Sequence, residues 1–288
     1  MVTRRVRERR FRLRPSQQVN QVIAYVLGVL AQRHGISLHA LCWLSNHYHQ
    51  VLTDTRGTIC EFTGELHSFV ARHVNQMHGD RGSLWSEHQT SRVEPQHDTD
   101  LREQIAYTMA NPVEAFLVRY GHSWLGLRQR WPAPPQTYRK PPGFFRDAED
   151  GGKWPEEVTL EFARPPGYDD LTDAELDALI QARVEERETA ARDAAHAQRR
   201  PFLGVRAIGA QKRWHSPTTR ERYRQISPRF ASKDRHALLA AIERYREWHR
   251  RYNHALERFN AGERDVVFPY GTHQLRVLHN VNVAPGPD

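Results

Sequence analysis

Apolar positions from Ser16 onward recur at helical spacing: Val19, Val22, Ile23, Val26, Leu27 and Leu30 form one stripe, and the pattern stops at Gly35. Ser16, just after Pro15, is a suitable N-cap, and Gly35 a suitable terminator. From Ile36 the period changes to two, which predicts a strand with Ile36, Leu38, Ala40, Cys42 and Leu44 on one side. Ser45-Asn46 then offers a tight turn into a return strand, His47-Tyr48-His49-Gln50-Val51-Leu52. Ahead of these elements, Val2 to Leu13 reads as a strand whose six arginines fall on both faces.

A second amphipathic helix carries Ile59, Phe62, Leu66, Phe69, Val70, Val74 and Met77 inward and ends in the turn-rich His78-Gly79-Asp80-Arg81-Gly82. Gln89 to Glu94 reads as a short strand. A third helix begins near Asp98-Thr99-Asp100, whose carboxylates suit a helix N-terminus. Leu101, Ile105 and Met109 make its apolar stripe. Asp100, Gln104, Tyr107 and Asn111 cluster on a second face roughly 200° away. Pro112 disfavours helical geometry at Asn111, so the helix is expected to end or kink there and turn the amide toward the strand. Strand, helix, hairpin, helix, strand, helix predicts an α+β layout, an antiparallel or mixed sheet with helices packed on it.

The remainder is organised differently. Gly121 to Asp170 is rich in Pro and Gly and reads as a segment wrapped over a surface, with one strand at Val158 to Phe162. Thr172-Asp173-Ala174-Glu175 is a capping box opening a helix to about Arg199, apolar only in its first half and so expected to be exposed in its second. Ser232 is the expected cap of a longer helix that Gly262 stops, and Ser216-Pro217 a further helix start in a basic stretch. Asp265 to Thr272 reads as an ordered packing segment.

Charge sharpens this division. The net charge is +8, the pI about 9.8, and 26% of residues are charged, which favours a polyanionic partner. The C-terminal part from Arg200 is the most basic, and the cations are nearly all arginine, whose planar fork suits phosphate. Mean hydropathy of −0.76 and the lack of an apolar run near 18 residues argue against a membrane span. The two cysteines, Cys42 and Cys60, have neither metal-ligand nor redox spacing and suit reduced thiols in a cytoplasmic protein.

His47 and His49 are two apart on a strand, so both imidazoles point to one face and make half of a metal site. Tyr107 shares a helix face with Asn111, one turn on. His47-Tyr48-His49 followed by Tyr107-x-x-x-Asn111-Pro112-Val113 resembles the His-hydrophobic-His single-tyrosine transposases, and among them the REP-associated tyrosine transposases. The likeness runs from about Val2 to Trp124 and includes Leu84-Trp85.

By that resemblance, residues 1–125 are a catalytic domain with a ferredoxin-like palm, 126–170 a linker and 171–288 a mostly helical, basic extension. Tyr107 is then the nucleophile, and His47, His49 and Asn111 hold a divalent metal, Mg²⁺ or Mn²⁺. Asn111 departs from the glutamine of the wider insertion-sequence group, though it suits the REP-associated branch. The implied activity is cleavage of single-stranded, hairpin-forming repeat DNA through a 5′-phosphotyrosine intermediate, by a monomer or homodimer associated with the nucleoid. The alternative is a protein that binds DNA hairpins without cleaving them. Trp85, Trp124, Trp131 and Tyr138 are candidate base-stacking side chains, but each also suits a core position.

Overall fold

The computed structural model describes residues 1–88, 90–144, 154–219 and 229–286. Its first strand, β1 (Val2–Arg5), is shorter than the alternation up to Leu13 suggests. Glu8 and Arg9 take left-handed backbone angles, φ 54° and 57°, which break an extended chain. The chain instead folds back over the hairpin: the amides of Val6 and Leu13 donate to the carbonyls of Asn46 and Ser45. Helix α1 (Gln17–His34) opens on Ser16, whose Oγ accepts from the Val19 amide at 3.2 Å, and closes on Gly35 at φ 67°.

Strands β2 (Ile36–Trp43) and β3 (His47–Asp54) form the hairpin, closed by the Leu44 amide donating to the His47 carbonyl. Their register slips between Leu38 and Ala40, so His39 is an extra residue, held by the Ala163 carbonyl and Thr53 Oγ1. An inserted residue reverses which side chains face which side of a sheet. Ile36, Leu38, Leu41 and Trp43 therefore join the core beneath the first two helices. Cys42 and Leu44 pack on the other side with Val113, correcting the single-sided strand that strict alternation predicts.

Next come α2 (Ile59–His78), β4 (Ser91–Arg92), β5 (Glu94–Pro95) and α3 (Asp98–Glu114). Met77 is not on the inner face of α2 but 37% exposed. The strand expected over 89–94 divides into β4 and β5, with Gln89 outside the described residues. The sheet order β4-β1-β3-β2, antiparallel throughout, with the sequence order βαββαβ, is the split-βαβ, ferredoxin-like arrangement. A fifth strand, β6 (Arg128–Arg130), pairs with β2 and comes from the segment that reads as linker.

Within that segment β7 (Gln136–Arg139) pairs with β8 (Glu157–Leu160), and β8 lies against α1. The approach explains a glycine in the middle of α1. A Cβ at Gly28 would sit 3.1 Å from both γ-methyls of Val158. Helix α4 (Asp173–Ala197) starts on the expected capping box and packs along α3. Glu188, Ala191 and Ala195 are buried there, so its second half is not exposed as composition suggests. The contact is made by small side chains and by charged ones, Glu188 and Arg187 among them, which a hydropathy stripe does not register.

The remaining elements are α5 (Val205–Ala210), β9 (Phe230–Ala231), α6 (Arg235–Asn260), β10 (Val267–Phe268), α7 (His273–His279) and β11 (Asn282–Val283). Asp234, not Ser232, caps α6: its Oδ1 accepts from the His236 amide, while Ser232 Oγ accepts from Asp234. No helix starts at Ser216-Pro217 within the described part of that stretch, and residues 220–228 lie outside it. Val266 and Phe268 pack with Ala255 of α6, so the tail is an ordered packing segment. Among the described residues no helix is long and apolar enough to cross a membrane.

The sheet face toward α1 and α2 holds a titratable group of its own. Tyr48 is fully buried, stacked on Trp43 at 4.3 Å, and its hydroxyl is hydrogen-bonded with His67 Nε2 at 2.6 Å. Burial, then Arg4 and Arg92, push the His67 imidazole down to about 3. A histidine that stays neutral when folded but takes a proton when unfolded destabilises the fold as pH falls below its unfolded value, near 6.5. His67 is thus expected to remove on the order of 2 kcal/mol between pH 7.5 and 5. Urea unfolding of His67→Gln, which keeps an acceptor for Tyr48, should show a pH-dependent loss smaller by that amount.

Candidate functional site

The strand alternation that buries Tyr48 under α1 and α2 sends His47 and His49 to the opposite face, where α3 crosses the sheet. Their rings are 5.0 Å apart and nearly perpendicular, at 88°. Each is oriented by a neighbour. Asn46 Oδ1 lies 2.7 Å from His47 Nδ1, and Thr3 Oγ1 lies 2.8 Å from His49 Nδ1. The Asn46 oxygen can only accept, so it favours the proton on His47 Nδ1 and leaves Nε2 as the lone-pair nitrogen; for His49 the Asn111 amide nitrogen beside Nε2 favours the same tautomer. Burial, then Arg5 and Arg9, lower the His47 imidazole to about 4. Burial, then His47 and Arg5, hold His49 well below its ordinary range. Both are neutral at physiological pH, the state in which imidazole binds a metal.

Helix α3 brings the other two predicted residues to the same place. The Tyr107 ring meets the His49 ring edge-on at 5.1 Å, and Asn111 Nδ2 lies 3.4 Å from His49 Nε2. Asn111 lies one helical turn from Tyr107 on the same face of α3, and its proximity pulls the Tyr107 hydroxyl downward against burial. The structure therefore unites His47, His49, Tyr107 and Asn111. The helix does not end at Asn111 as Pro112 suggests. It runs on to Glu114, with Asn111, Pro112 and Val113 all buried, so packing outweighs the local preference of a pre-proline residue.

Asn111 Oδ1 is buried and has no hydrogen-bond partner. An orphaned amide oxygen beside His49 Nε2 and the neighbouring His47 ring is what a cation ligand set needs, and a half-turn about Asn111 Cβ–Cγ exchanges its oxygen with the nitrogen now facing His49. Among the described residues no group of three His, Cys, Asp or Glu side chains is placed to hold a metal. The amide is the third donor this face offers.

Four participants escaped the sequence. Thr3 and Arg5 stand opposite His49 and His47 in the β1–β3 register, and long-range pairing of this kind carries no local signal. Arg187 of α4 lies over the Tyr107 ring at 5.3 Å, and its Nε donates to Glu114 at 2.8 Å. The Tyr107 hydroxyl is shifted upward by burial and by Glu114; Arg187, Asn111 and Arg5 pull the other way. Asp100 is occupied at the helix start, accepting from the His97 amide, and Gln104 Nε2 donates to the Val93 carbonyl.

No protein-family model, curated protein or solved structure matches this chain. The assignment of a role rests on the site itself. Trp85, Trp124 and Trp131 are each at most 7% exposed and belong to the core, which settles them as packing residues.

Thr3 provides a direct check on the orientation of His49. Thr3→Val keeps the shape of the side chain and removes only the Nδ1 partner. Were this face to hold a divalent cation, Thr3→Val would lower its affinity for Mn²⁺ about 10–100-fold in a calorimetric titration, the usual effect of removing an outer partner of a metal-binding histidine. An unchanged affinity would separate His49 from metal binding.

Proposed function

We propose that the chain is a metal-dependent transposase or nickase for single-stranded, hairpin-forming DNA, with Tyr107 as nucleophile and His47, His49 and Asn111 as the ligands of a divalent cation. The observation that carries this reading is the convergence of two buried imidazoles, each with a hydrogen-bond partner at Nδ1, an unsatisfied amide oxygen and a phenol on one face of the sheet. The resemblance of His47-Tyr48-His49 and Tyr107-x-x-x-Asn111 to REP-associated tyrosine transposases points to the same chemistry. Two nitrogen donors tilt the metal toward Mn²⁺ over Mg²⁺. When bound, the cation supplies Lewis-acid stabilisation of phosphate charge.

The chain's own residues would then do the following. Tyr107 Oη attacks phosphorus, the Oη–P bond forms and the P–O3′ bond breaks. The phenolic proton is lost and the 3′-oxygen gains one, leaving a 5′-phosphotyrosine and a free 3′-hydroxyl. Arg187 and Arg5 favour the phenolate, opposing the effect of burial. Asn111, one turn from Tyr107 and 3.4 Å from His49 Nε2, keeps the helix face in register with the imidazole. Because one phosphoester replaces another, the step needs no nucleotide cofactor.

The test is incubation of the full chain with end-labelled hairpin oligonucleotides and Mn²⁺. A denaturation-resistant protein–DNA adduct mapped to Tyr107 is expected. Hairpin binding without any adduct would overturn the catalytic reading in favour of a non-catalytic hairpin-binding protein.

A further inference from the structure

The segment Arg7 to Arg12, the loop at 80–83 and residues 213–214 line a shallow cleft away from the imidazole pair, with open space of about 360 Å³ beside Trp214. Arg7, Arg10, Arg12, Arg81 and Arg213 face it against only two carboxylates, Glu8 and Asp80, so three positive charges are uncompensated by lining residues. Arg12 and Arg213 are both held by Asp80, at 3.5 and 2.7 Å, and form its floor. Arg10 and Arg81 are exposed at the rim.

Trp214 is 61% exposed, although the chain around it is fixed. The Phe11 amide donates to the His215 carbonyl at 2.9 Å, Ser216 Oγ to the Glu8 carbonyl at 2.6 Å, and Arg14 to the Gln211 carbonyl at 2.8 Å. A pinned backbone that presents a largely exposed indole to water, touched at its edge by His215, forgoes hydrophobic burial. An exposed indole bordered by guanidiniums combines the two elements that hold unpaired nucleotides, a stacking platform and phosphate partners. An acidic peptide would use the cations but not the indole face.

We propose that Trp214, Arg10, Arg81 and Arg213 form a cradle for one unpaired nucleotide of a DNA strand, the base on the indole and its phosphate against the guanidiniums. The cradle deepens the nucleic-acid reading above and does not depend on Tyr107 being a nucleophile. It is also coupled to the imidazoles through one residue: Asn46 orients His47 and donates from Nδ2 to the Arg9 carbonyl at 3.1 Å. Arg9 is flanked in the chain by Glu8 and Arg10, which line the cleft, so the Asn46 contact links its backbone to His47.

The test measures binding of the full chain to a fluorescein-labelled oligothymidylate by anisotropy. Trp214→Ala is expected to weaken binding about tenfold and Trp214→Phe to restore most of it, with no effect on a blunt duplex. Arg81→Ala is expected to reduce the slope of log affinity on log salt by about 0.7. Trp214→Ala binding that equals wild type, with an unchanged circular-dichroism spectrum, would overturn the cradle. So would oligoglutamate competing as well as unlabelled oligothymidylate. Adduct formation at Tyr107 is scored separately, so a chain that forms no adduct yet loses affinity through Trp214→Ala retains the cradle and loses the catalytic reading.

Discussion

Tyr107→Phe is expected to reduce adduct formation and strand cleavage by roughly 10³-fold or more while leaving the fold and hairpin binding intact. The substitution removes one oxygen. The phenyl ring keeps its edge contact with His49 at 5.1 Å and its place under Arg187 at 5.3 Å, so packing around α3 is preserved. Because burial already disfavours the charged phenol, its loss costs the folded state little. His49→Ala is the companion. It should lose cleavage to a similar degree through the cation, and excess chelator should reproduce that loss in the wild type. Cleavage that persists in Tyr107→Phe at the wild-type rate would remove Tyr107 from the chemistry.

The second large effect is on stability. Glu188→Ala is expected to destabilise the fold by about 3–5 kcal/mol, the usual result of stripping one partner from a buried ion pair. Glu188 is 5% exposed. Its Oε1 accepts from Arg128 Nη2 at 3.0 Å, and its Oε2 from the Gly121 amide at 3.2 Å. Arg128 in turn donates from Nε to the Met109 carbonyl at 2.6 Å, which ties β6, α3 and α4 into one joint. Burial already pulls the Arg128 guanidinium below its ordinary range, with Glu188 opposing the shift.

Loss of the carboxylate would leave a buried cation and an unsatisfied amide. The joint is also tight: a Cβ at Gly121 would lie 2.3 Å from both Arg128 Nη2 and Glu188 Oε1, so Gly121 has no room for a side chain. Urea unfolding measures the effect. The double replacement Arg128→Met with Glu188→Leu should recover the part due to the unmatched buried guanidinium, while the Gly121 amide and the Met109 carbonyl still lose their partners. A loss below about 1 kcal/mol for Glu188→Ala would show the pair to be as weak as an exposed one.

Elements with a strong local pattern were legible in the chain. Ser16 and Gly35 bracket α1, and Thr172 and Glu175 form the capping box of α4, because caps act within one helical turn. The hairpin turn at Ser45-Asn46 and the shared face of His47 and His49 follow from the two-residue period of a strand. Readings failed where a distant contact outweighed the local rule. The bulge at His39 is fixed by Ala163 and Thr53, and the helix through Pro112 by burial against the sheet. The docking of α4 depends on Glu188 meeting Arg128, sixty positions earlier.

By itself the sequence determined which side chains share a face: two imidazoles on one strand, and a phenol one helical turn from an amide. Periodicity and capping are local properties of the chain, and they suffice to place side chains on faces. Only the tertiary structure decided that those faces meet. It also supplied Thr3 and Asn46 to orient the imidazoles, Arg187 to cover the phenol, and a sheet buried on both sides. The physical reason is that meeting distances depend on strand register and helix packing, which the whole core sets at once and no short stretch encodes.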